Sequence, residues 1–332
     1  MTTLNYSKII QKLFQGLPQR TKEVIVRRFG LKGGERETLE AIGNDFGITR
    51  ERVRQLEEDG FSTMKPKLAT FPEVENYFEN QLKVTGGLSK EENLLQALGG
   101  KKHQNHAFFL LTLSGSFIRL GENKDYFSLW ANSLDSFQSA QEVINSIKGE
   151  LKKINQPVQI EKLKSQIANI SDAVFGSYLG VSKTIQSGVD GLFGLKEWPE
   201  INPRGVKDKA YIVFKKEKKP LHFTEVAKLI ESHFSEGKVF FPTVHNELIK
   251  DARFVLVGRG TYALKEWGYE PGMVKDVIEK ILKESTNPLA KEEIVEKVLT
   301  QRFVKENTVL LNLKNKKYFS KNQEGKYILR EA

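Results

Sequence analysis

Hydrophobic residues recur with helical spacing in the N-terminal part of the chain and predict three successive helices. The first spans residues 21–29 and ends at Gly30, a residue that readily adopts the left-handed conformation of a helix C-cap. The second spans residues 38–46 and ends at Gly47, and Thr49 is placed to cap the third. The positions expected to face the core of this segment are Val24, Ile25, Leu39, Ile42, Phe46, Ile48, Val53, Leu56 and Met64.

A short turn containing glycine between the second and third helices is typical of a helix-turn-helix. In that motif the N-terminal residues of the last helix meet base edges in the major groove of DNA. Arg50, Glu51 and Gln55 occupy such positions, and Arg54 lies on the same exposed strip. Arginine pairs with guanine, glutamine pairs with adenine, and glutamate accepts a hydrogen bond from cytosine. The alternative is a solvated helix face held by ion pairs between neighbouring residues.

The rest of the chain repeats with a period of about 65–70 residues. Leucines at the ends of short hydrophobic strands recur at Leu195, Leu264 and Leu329. Leu129 precedes them at a similar spacing and indicates a fainter copy, whose second helix is expected at residues 88–95. Each later copy also has a proline and a hydrophobic residue that are expected to open a helix. These pairs are Pro157 and Val158, Pro220 and Leu221, and Pro288 and Leu289.

The clearest copy predicts helices at residues 206–215, 224–230 and 243–249, followed by strands at 254–257 and 261–264. A glycine-rich hairpin joins the two strands. Three helices and a two-stranded hairpin in one such repeat form a winged helix. The predicted fold class is therefore mainly α, with a helix-turn-helix domain followed by tandem winged-helix modules, each a three-helix unit with a short β-hairpin wing.

The composition narrows the classes of protein to consider. The chain has 332 residues, 52 Lys and Arg against 42 Asp and Glu, a formal charge of +10 and 39% hydrophobic residues, which excludes a disordered charge polymer. The excess positive charge belongs to the two ends, where a basic surface favours phosphate backbones, although an ordinary solvated surface is the alternative. The absence of cysteine excludes disulfides, thiol nucleophiles and Cys-ligated metal sites.

The sequence predicts neither a membrane protein nor an enzyme. No run approaches the roughly 18 consecutive apolar residues of a spanning helix and no secretory leader is visible, so a soluble, cytoplasmic protein is expected. His103 and His106 form a close pair, but no carboxylate follows at ligand spacing and Lys101 and Lys102 would repel a cation. No phosphate-binding glycine loop or serine elbow is present. We expect no catalytic residue, no metal and no cofactor.

Residues 17–68 closely resemble region 4 of bacterial sigma-70-type sigma factors, through the stretches 27–31, 38–43 and 48–57. The resemblance implies recognition of the promoter −35 element in double-stranded DNA and docking on the flap of the RNA polymerase β subunit. Phe29 and Met64 match positions that make flap contacts in that family. The positions that match its DNA-contacting residues are the base readers Arg50, Glu51 and Gln55, and Arg52 and Arg54 near the phosphate backbone or activators.

Three further features of this segment bear on that resemblance. The capping residues Thr38 and Thr49 complete its predicted DNA-binding set. Gly60 falls where an Ala-like residue is usual, which costs about 1 kcal/mol of helix propensity and is expected to fray the second half of the helix. The resemblance covers a small part of the chain, and nothing else in the sequence resembles the sigma segments that grip core polymerase and melt the −10 region. A complete, self-sufficient sigma factor is not expected.

Residues 207–267 resemble the HARE-type winged helix, a family that includes the N-terminal domain of the bacterial RNA polymerase delta subunit. The resemblance implies association with DNA or polymerase, and winged helices also serve as protein-docking units. A solvated face is an equal alternative for the polar residues concerned. The candidates for DNA contact are His245, Asn246, Lys250 and Arg259 in this copy, and Asn312, Lys314, Lys316 and Lys317 in the last copy.

The predicted segments are 1–68, a helix-turn-helix; 69–135, a degenerate winged helix; 136–200, a winged-helix-like module; 201–268, a HARE-type winged helix; and 269–332, a C-terminal winged helix. The leading hypothesis is a DNA-binding, transcription-associated protein that reads a −35-like element, with winged helices contacting DNA or RNA polymerase. One alternative is a delta-like polymerase subunit that does not read DNA sequence. Another is the DNA-recognition arm of a restriction or defence system. The sequence does not indicate the oligomeric state.

Overall fold

The computed structural model describes residues 4–167, 170–234, 237–285 and 287–330. The protein is mainly α with small antiparallel sheets, which confirms the predicted class. It divides into two compact units, residues 1–196 and 197–332. The first unit begins with four helices, α1 Tyr6–Leu13, α2 Gln19–Phe29, α3 Leu39–Phe46 and α4 Arg50–Leu68.

The predicted helix-turn-helix is confirmed as α3, a short turn and α4, and its boundaries follow from local side-chain chemistry. The hydroxyl oxygen of Thr38 accepts a hydrogen bond of 3.1 Å from the N–H of Ala41, and that of Thr49 accepts one of 3.2 Å from Arg52. Each bond satisfies an N–H that the helix cannot pair internally. Gly47 ends α3 with a φ of 63°, where a residue with a Cβ atom would be strained.

Four similar repeats follow, two in each unit. The first repeat comprises α5 Pro72–Val84, β1 Leu88–Lys90, α6 Glu91–Gly99, α7 Gln104–Ser114, β2 Ile118–Leu120 and β3 Leu129–Ala131. The second repeat comprises α8 Leu134–Ile154, α9 Ile160–Lys164, α10 Asp172–Val181, β4 Ile185–Ser187 and β5 Phe193–Leu195.

The second unit holds the other two repeats. The third repeat comprises α11 Gly205–Glu217, β6 Leu221–His222, α12 Phe223–Phe234, α13 Phe241–Lys250, β7 Phe254–Gly258 and β8 Thr261–Leu264, followed by a 3-10 helix at Lys265–Trp267. The fourth repeat comprises α14 Val274–Glu284, α15 Lys291–Gln301, α16 Glu306–Leu313, β9 Phe319–Lys321 and β10 Tyr327–Leu329.

One strand pairing is shared by all four repeats. The residue two positions before the second helix lies opposite an aromatic residue in the last strand of the hairpin. The pairs are Ser89 and Trp130, Val158 and Phe193, Leu221 and Tyr262, and Leu289 and Tyr327.

This pairing corrects two expectations. The residues that follow Pro157, Pro220 and Pro288 do not open a helix, because they pair with the hairpin before the helix begins. Residues 88–90 form a strand, so the predicted helix at 88–95 begins at Glu91 instead. The sheets of the first and third repeats have the same strand order, with the last strand in the centre. In these two repeats the last strand therefore pairs on one side with its hairpin partner and on the other with the first strand of the repeat.

The helix-turn-helix segment and the first repeat share one hydrophobic core. Leu13, Ile25 and Met64 from the first four helices pack in the same cluster as Phe78 and Phe109 from the first repeat. Burial of such side chains stabilises the fold by roughly 1.5–3 kcal/mol each. The predicted boundary at residue 68 thus crosses a continuous core. The third and fourth repeats have separate cores, and the remaining segment boundaries stay predictions.

Gly60 lies at the closest approach of α4 to α2. A Cβ atom at Gly60 would stand 2.6 Å from Cδ1 of Ile25 and 2.9 Å from Cγ2 of Thr21. The helix continues through Gly60 to Leu68, so the expected fraying is wrong. The packing that glycine permits offsets its low helix propensity.

Candidate nucleic-acid interface

The first turns of α4 are polar on one side and buried on the other. Val53 is fully buried against Val24 and Ile42, which fixes α4 on the two preceding helices. That packing turns the opposite side of the helix to solvent. The residues predicted to contact DNA on this surface are all exposed: Arg50, Glu51, Arg52, Arg54 and Gln55.

Contacts within the strip separate Arg50 from the other arginines. Nη2 of Arg54 lies 2.6 Å from Oε1 of Glu51, and Arg54 also pairs with Glu58. The hydrogen bond from Arg54 holds the pKa of the Glu51 carboxyl below its ordinary value. Nη1 of Arg52 donates a hydrogen bond of 3.0 Å to Oε1 of Gln55. Among the described residues, no hydrogen bond and no ion pair within 4.0 Å holds Arg50, although its charge acts on Glu51 through space.

The geometry of this strip has features of both alternatives, and DNA contact by it stays a prediction. Arg54 forms the ion pairs expected of a solvated helix face, whereas the donors of Arg50 are available to a ligand. Thr38 and Thr49 are exposed, and their oxygens are engaged as N-caps. A hydroxyl that accepts in this way still has its own O–H to donate.

Arg27 links α2 to the loop and helix that precede the turn. Its Nε donates a hydrogen bond of 2.8 Å to Oε1 of Glu37, and its Nη2 pairs with Asp45 on α3. The hydrogen bonds with Glu37 and then with Asp45 raise the pKa of Arg27, so the group stays charged. Nη1 of Arg28 donates to the backbone oxygen of Glu37 at 2.8 Å. These contacts fix the helix against which α4 is packed.

A second set of residues ties the loop between α2 and α3 to the first repeat, and the sequence analysis missed it. Nδ2 of Asn105 on α7 donates hydrogen bonds of 3.1 Å to the backbone oxygens of Gly30 and Gly34. Nε of Arg36 donates a hydrogen bond of 3.2 Å to Oδ1 of Asn105. The guanidinium of Arg36 lies 3.9 Å from the centre of the Phe108 ring. Because about 70 residues separate the partners, no local pattern indicates them.

The expectation that Phe29 and Met64 contact RNA polymerase is wrong for this structure. Their exposed fractions are 4% and 0%. Phe29 stacks on Phe61 with ring centroids 5.7 Å apart and meets Phe109 of α7 edge to face at 5.2 Å. The chain's own α7 therefore packs on the apolar surface that the resemblance assigns to the flap.

The predicted DNA-contacting residues of the third repeat divide into two groups. His245 is half-buried between Phe223 and Tyr262, with ring centroids 4.7 and 5.8 Å away, so its ring is not available to a base. Asn246, Lys250 and Arg259 are exposed, and DNA contact by them stays a prediction. The same helix, α13, also exposes apolar side chains: Phe241 and Ile249.

In the fourth repeat the exposed lysines Lys314, Lys316 and Lys317 follow the end of α16. Asn312 is half-buried, and its Nδ2 donates a hydrogen bond of 2.8 Å to the backbone oxygen of Thr308. The side-chain amide of Asn312 is therefore bound to the backbone of α16, whereas the lysines are exposed to solvent.

His103 and His106 lie with ring centroids 5.0 Å apart, beside Tyr6. Burial, and then the neighbouring His103, lower the pKa of His106. Within the described ranges, no three histidine or acidic side chains come together as metal ligands. No helix in the described part of the chain has the length and apolar character needed to cross a bilayer.

Residues 13–65 match the family model of Sigma-70, region 4. The RNA polymerase sigma factor RpoS of Coxiella burnetii (strain RSA 493 / Nine Mile phase I) is 43% identical over 56 residues, which make up 17% of this chain and 16% of that protein. The RNA polymerase sigma factor sigB of Arabidopsis thaliana is 43% identical over 58 residues, 18% of this chain and 10% of that protein.

The chain thus spans at most 16% of the length of these two relatives. The similarity lies in the segment that holds α2, the helix-turn-helix and the exposed strip of α4. The predicted resemblance to sigma region 4 is confirmed for that segment, and the HARE-type resemblance of the later repeats stays a prediction.

Proposed function

We propose that the chain is a DNA-binding, transcription-associated protein that reads a short duplex element with the N-terminal turns of α4. One observation carries the proposal: in the segment similar to sigma region 4, Arg50 begins α4, is exposed and is held by no hydrogen bond or ion pair with a described residue. A guanidinium in that position offers two parallel donors to O6 and N7 of a guanine. The element is expected to resemble a −35 hexamer.

The neighbouring residues have distinct roles in this proposal. Gln55 recognises adenine by accepting at Oε1 and donating from Nε2, and it shares Oε1 with Arg52. Arg54 donates hydrogen bonds to both carboxylate oxygens of Glu51, so Glu51 accepts from cytosine through the lone pairs that Arg54 leaves free. Arg52 and Arg54 contact phosphates, and such contacts position the protein without specifying sequence. The ion pairs of Arg54 with Glu51 and Glu58 must open or rotate for that contact.

Association with RNA polymerase is part of the proposal, through residues other than Phe29 and Met64. Because both side chains are buried, Phe29 against Phe109 of α7 and Met64 in the shared core, they offer no surface to a partner. The contact is expected to use exposed residues of the same segment.

Selection from a random duplex library tests sequence reading. The full chain is compared with Arg50→Ala/Gln55→Ala at a stated, near-physiological salt concentration, because affinity depends steeply on salt. Gln11→Ala/Lys101→Ala is the matched control, since it removes one exposed amide and one exposed positive charge from the same unit. The proposal predicts an enriched motif for the wild type and the control and none for the Arg50 variant. Equal enrichment by all three proteins would rule out reading by α4.

A second candidate function is protein docking by the third repeat, and the surface of α13 favours it. Phe240, the N-cap of α13, and Ile249 within the helix have exposed fractions of 67% and 61%, although large apolar side chains are usually buried. Phe240→Ser/Ile249→Ser is expected to reduce capture of the full chain by purified RNA polymerase. Leu299→Ser is the control, because Leu299 is exposed on another helix of the same unit. Unchanged capture by the double variant would exclude this surface.

A further inference from the structure

The fourth repeat contains a concave surface lined by positive side chains. A cavity of about 690 Å³ lies between the end of α16 and the hairpin of β9 and β10. Phe319 and Tyr327 form its apolar wall. We call this surface the basic groove; its positive side chains are Lys314, Lys316, Lys321 and Arg330.

The cations of the basic groove have no carboxylate partner among the described residues. Nearby acids are already paired: Glu324 lies 3.2 Å from Lys326, and Glu292 lies 3.2 Å from Lys291. Glu292 also interacts with Lys321 through space without forming an ion pair. Positive charges that line one surface repel one another, and an anion bound there relieves that repulsion.

Two of the basic side chains are held in place by contacts within the repeat and keep N–H donors that can bind a ligand. Nη1 of Arg330 donates a hydrogen bond of 2.9 Å to the backbone oxygen of Lys316, which fixes the guanidinium and leaves its other N–H groups available. Nζ of Lys321 lies 4.9 Å from the centre of the Tyr327 ring. Arginine and lysine in this combination suit phosphate oxygens, arginine through its planar fork and lysine as a point charge.

We propose that the basic groove binds the phosphate backbone of double-stranded DNA without reading its sequence. This inference rests on the proposed function, because it adds a second contact to a chain that reads DNA with α4. A nucleic-acid backbone is preferred to an acidic protein because the chain carries a formal charge of +10 and the groove offers isolated cations around one small cavity. A backbone supplies phosphates at regular spacing, and each lysine that meets one releases a counterion.

The test compares how DNA binding depends on salt concentration in the wild-type full chain and in two variants of it. The groove variant is Lys314→Ala/Lys316→Ala/Lys321→Ala. The control is Lys215→Ala/Lys219→Ala/Lys280→Ala, which removes three lysines of the same unit that already have carboxylate partners. Both variants lower the net charge equally. Each is measured by fluorescence anisotropy on the selected duplex and on a scrambled duplex, and thermal melts establish that each is folded.

Loss of a phosphate contact lowers the slope of log K against log salt by about 1. The groove variant is expected to lower the slope by about 2–3 on both duplexes while keeping the wild-type preference between them. If the groove variant and the control have equal slopes, the proposal that the groove binds DNA is overturned. If the groove variant keeps the preference between the two duplexes, reading by α4 remains intact. If the wild type shows no preference but the groove variant still lowers the slope, the groove stands as a backbone site and the proposed reading function fails. Groove-dependent binding of polyglutamate by the wild type, with a DNA salt slope that the groove variant leaves unchanged, would overturn DNA as the ligand in favour of an acidic protein.

Discussion

The ring of Phe109 meets the ring of Phe29 edge to face, with the two centroids 5.2 Å apart. Phe29 closes the helix that precedes the helix-turn-helix, and Phe109 belongs to the first repeat. The contact lies in a core that both segments share. The helix that reads DNA in our proposal is therefore held in place by residues outside the segment that is similar to sigma region 4.

Replacement of Phe109 by alanine tests this dependence. Phe109→Ala removes a fully buried ring, and such a change costs about 3–5 kcal/mol of unfolding free energy. We expect α2 and α4 to lose amide-exchange protection together with α7, although the substitution lies outside residues 1–68. Urea unfolding followed by hydrogen exchange measures both effects.

The matched control for that experiment is Phe240→Ala. Phe240 is exposed in the other unit, so its truncation is expected to change stability by no more than about 0.5 kcal/mol. Protection of α2 and α4 that survives Phe109→Ala would contradict a shared core and would restore a boundary at residue 68.

Substitution of Gly60 distinguishes packing from helix propensity. Gly60→Ala gains up to about 1 kcal/mol of propensity, but its Cβ would stand 2.6 Å from Ile25 and 2.9 Å from Thr21. Overpacking of this kind typically costs about 1–3 kcal/mol, so a net loss of stability is expected in chemical denaturation.

Gly149 provides the comparison, because it lies inside α8 and nothing stands within 4 Å of the position of its Cβ. Gly149→Ala is expected to stabilise the protein by roughly 0.5–1 kcal/mol. An equal gain at both positions would mean that α4 and α2 are not in close contact at Gly60.

The parts of the fold that the sequence predicts well are those set by neighbouring residues. Thr38, Gly47 and Thr49 each act within one helical turn, and the structure shows their predicted caps. The exposure of Arg50 and the burial of Val53 follow from helical periodicity alone.

The remaining features depend on partners far along the chain. Phe29 is hidden by Phe109, and Gly30 is held by Asn105, at separations that no periodic pattern reveals. The first strands of the repeats were missed for another reason. Val158 and Leu289 pair as single bridges, too short to produce the alternation that predicts a strand.

The histidine pair predicts how stability depends on pH. Because burial and His103 lower the pKa of His106 in the folded state, the unfolded chain binds more protons. Stability is therefore expected to rise with pH through the ordinary range of histidine, near 6.5, and to fall as the pH drops below it. The groups that face His106 are His103 and Tyr6, and Lys101 and Lys102 precede the pair in the chain. Urea titrations of the wild type and His106→Phe measure the effect, and an equal pH dependence in both would contradict this account.

Arg302 predicts coupling between the third and fourth repeats. Its side chain is 6% exposed, and Nη1 donates to the backbone oxygens of Leu256 and Glu270 at 2.7 and 2.9 Å. Arg302→Ala leaves both oxygens without this donor, at a cost of about 1–3 kcal/mol.

In that variant the fourth repeat is expected to unfold at lower denaturant than the third, as measured by hydrogen exchange. Arg302→Lys can retain one of the hydrogen bonds and is expected to show an intermediate effect. Coincident unfolding of the two repeats in Arg302→Ala would show that they are coupled by other contacts.

Base discrimination by Arg50 tests most directly whether α4 reads DNA. The full chain and Arg50→Ala are titrated with the selected duplex and with the three duplexes that differ from it at a single base pair, for each guanine position in turn. We predict one position at which the wild type discriminates by about 1–3 kcal/mol and Arg50→Ala binds all four duplexes alike. If the wild type and Arg50→Ala discriminate equally at every guanine position, reading of DNA by Arg50 of α4 is contradicted.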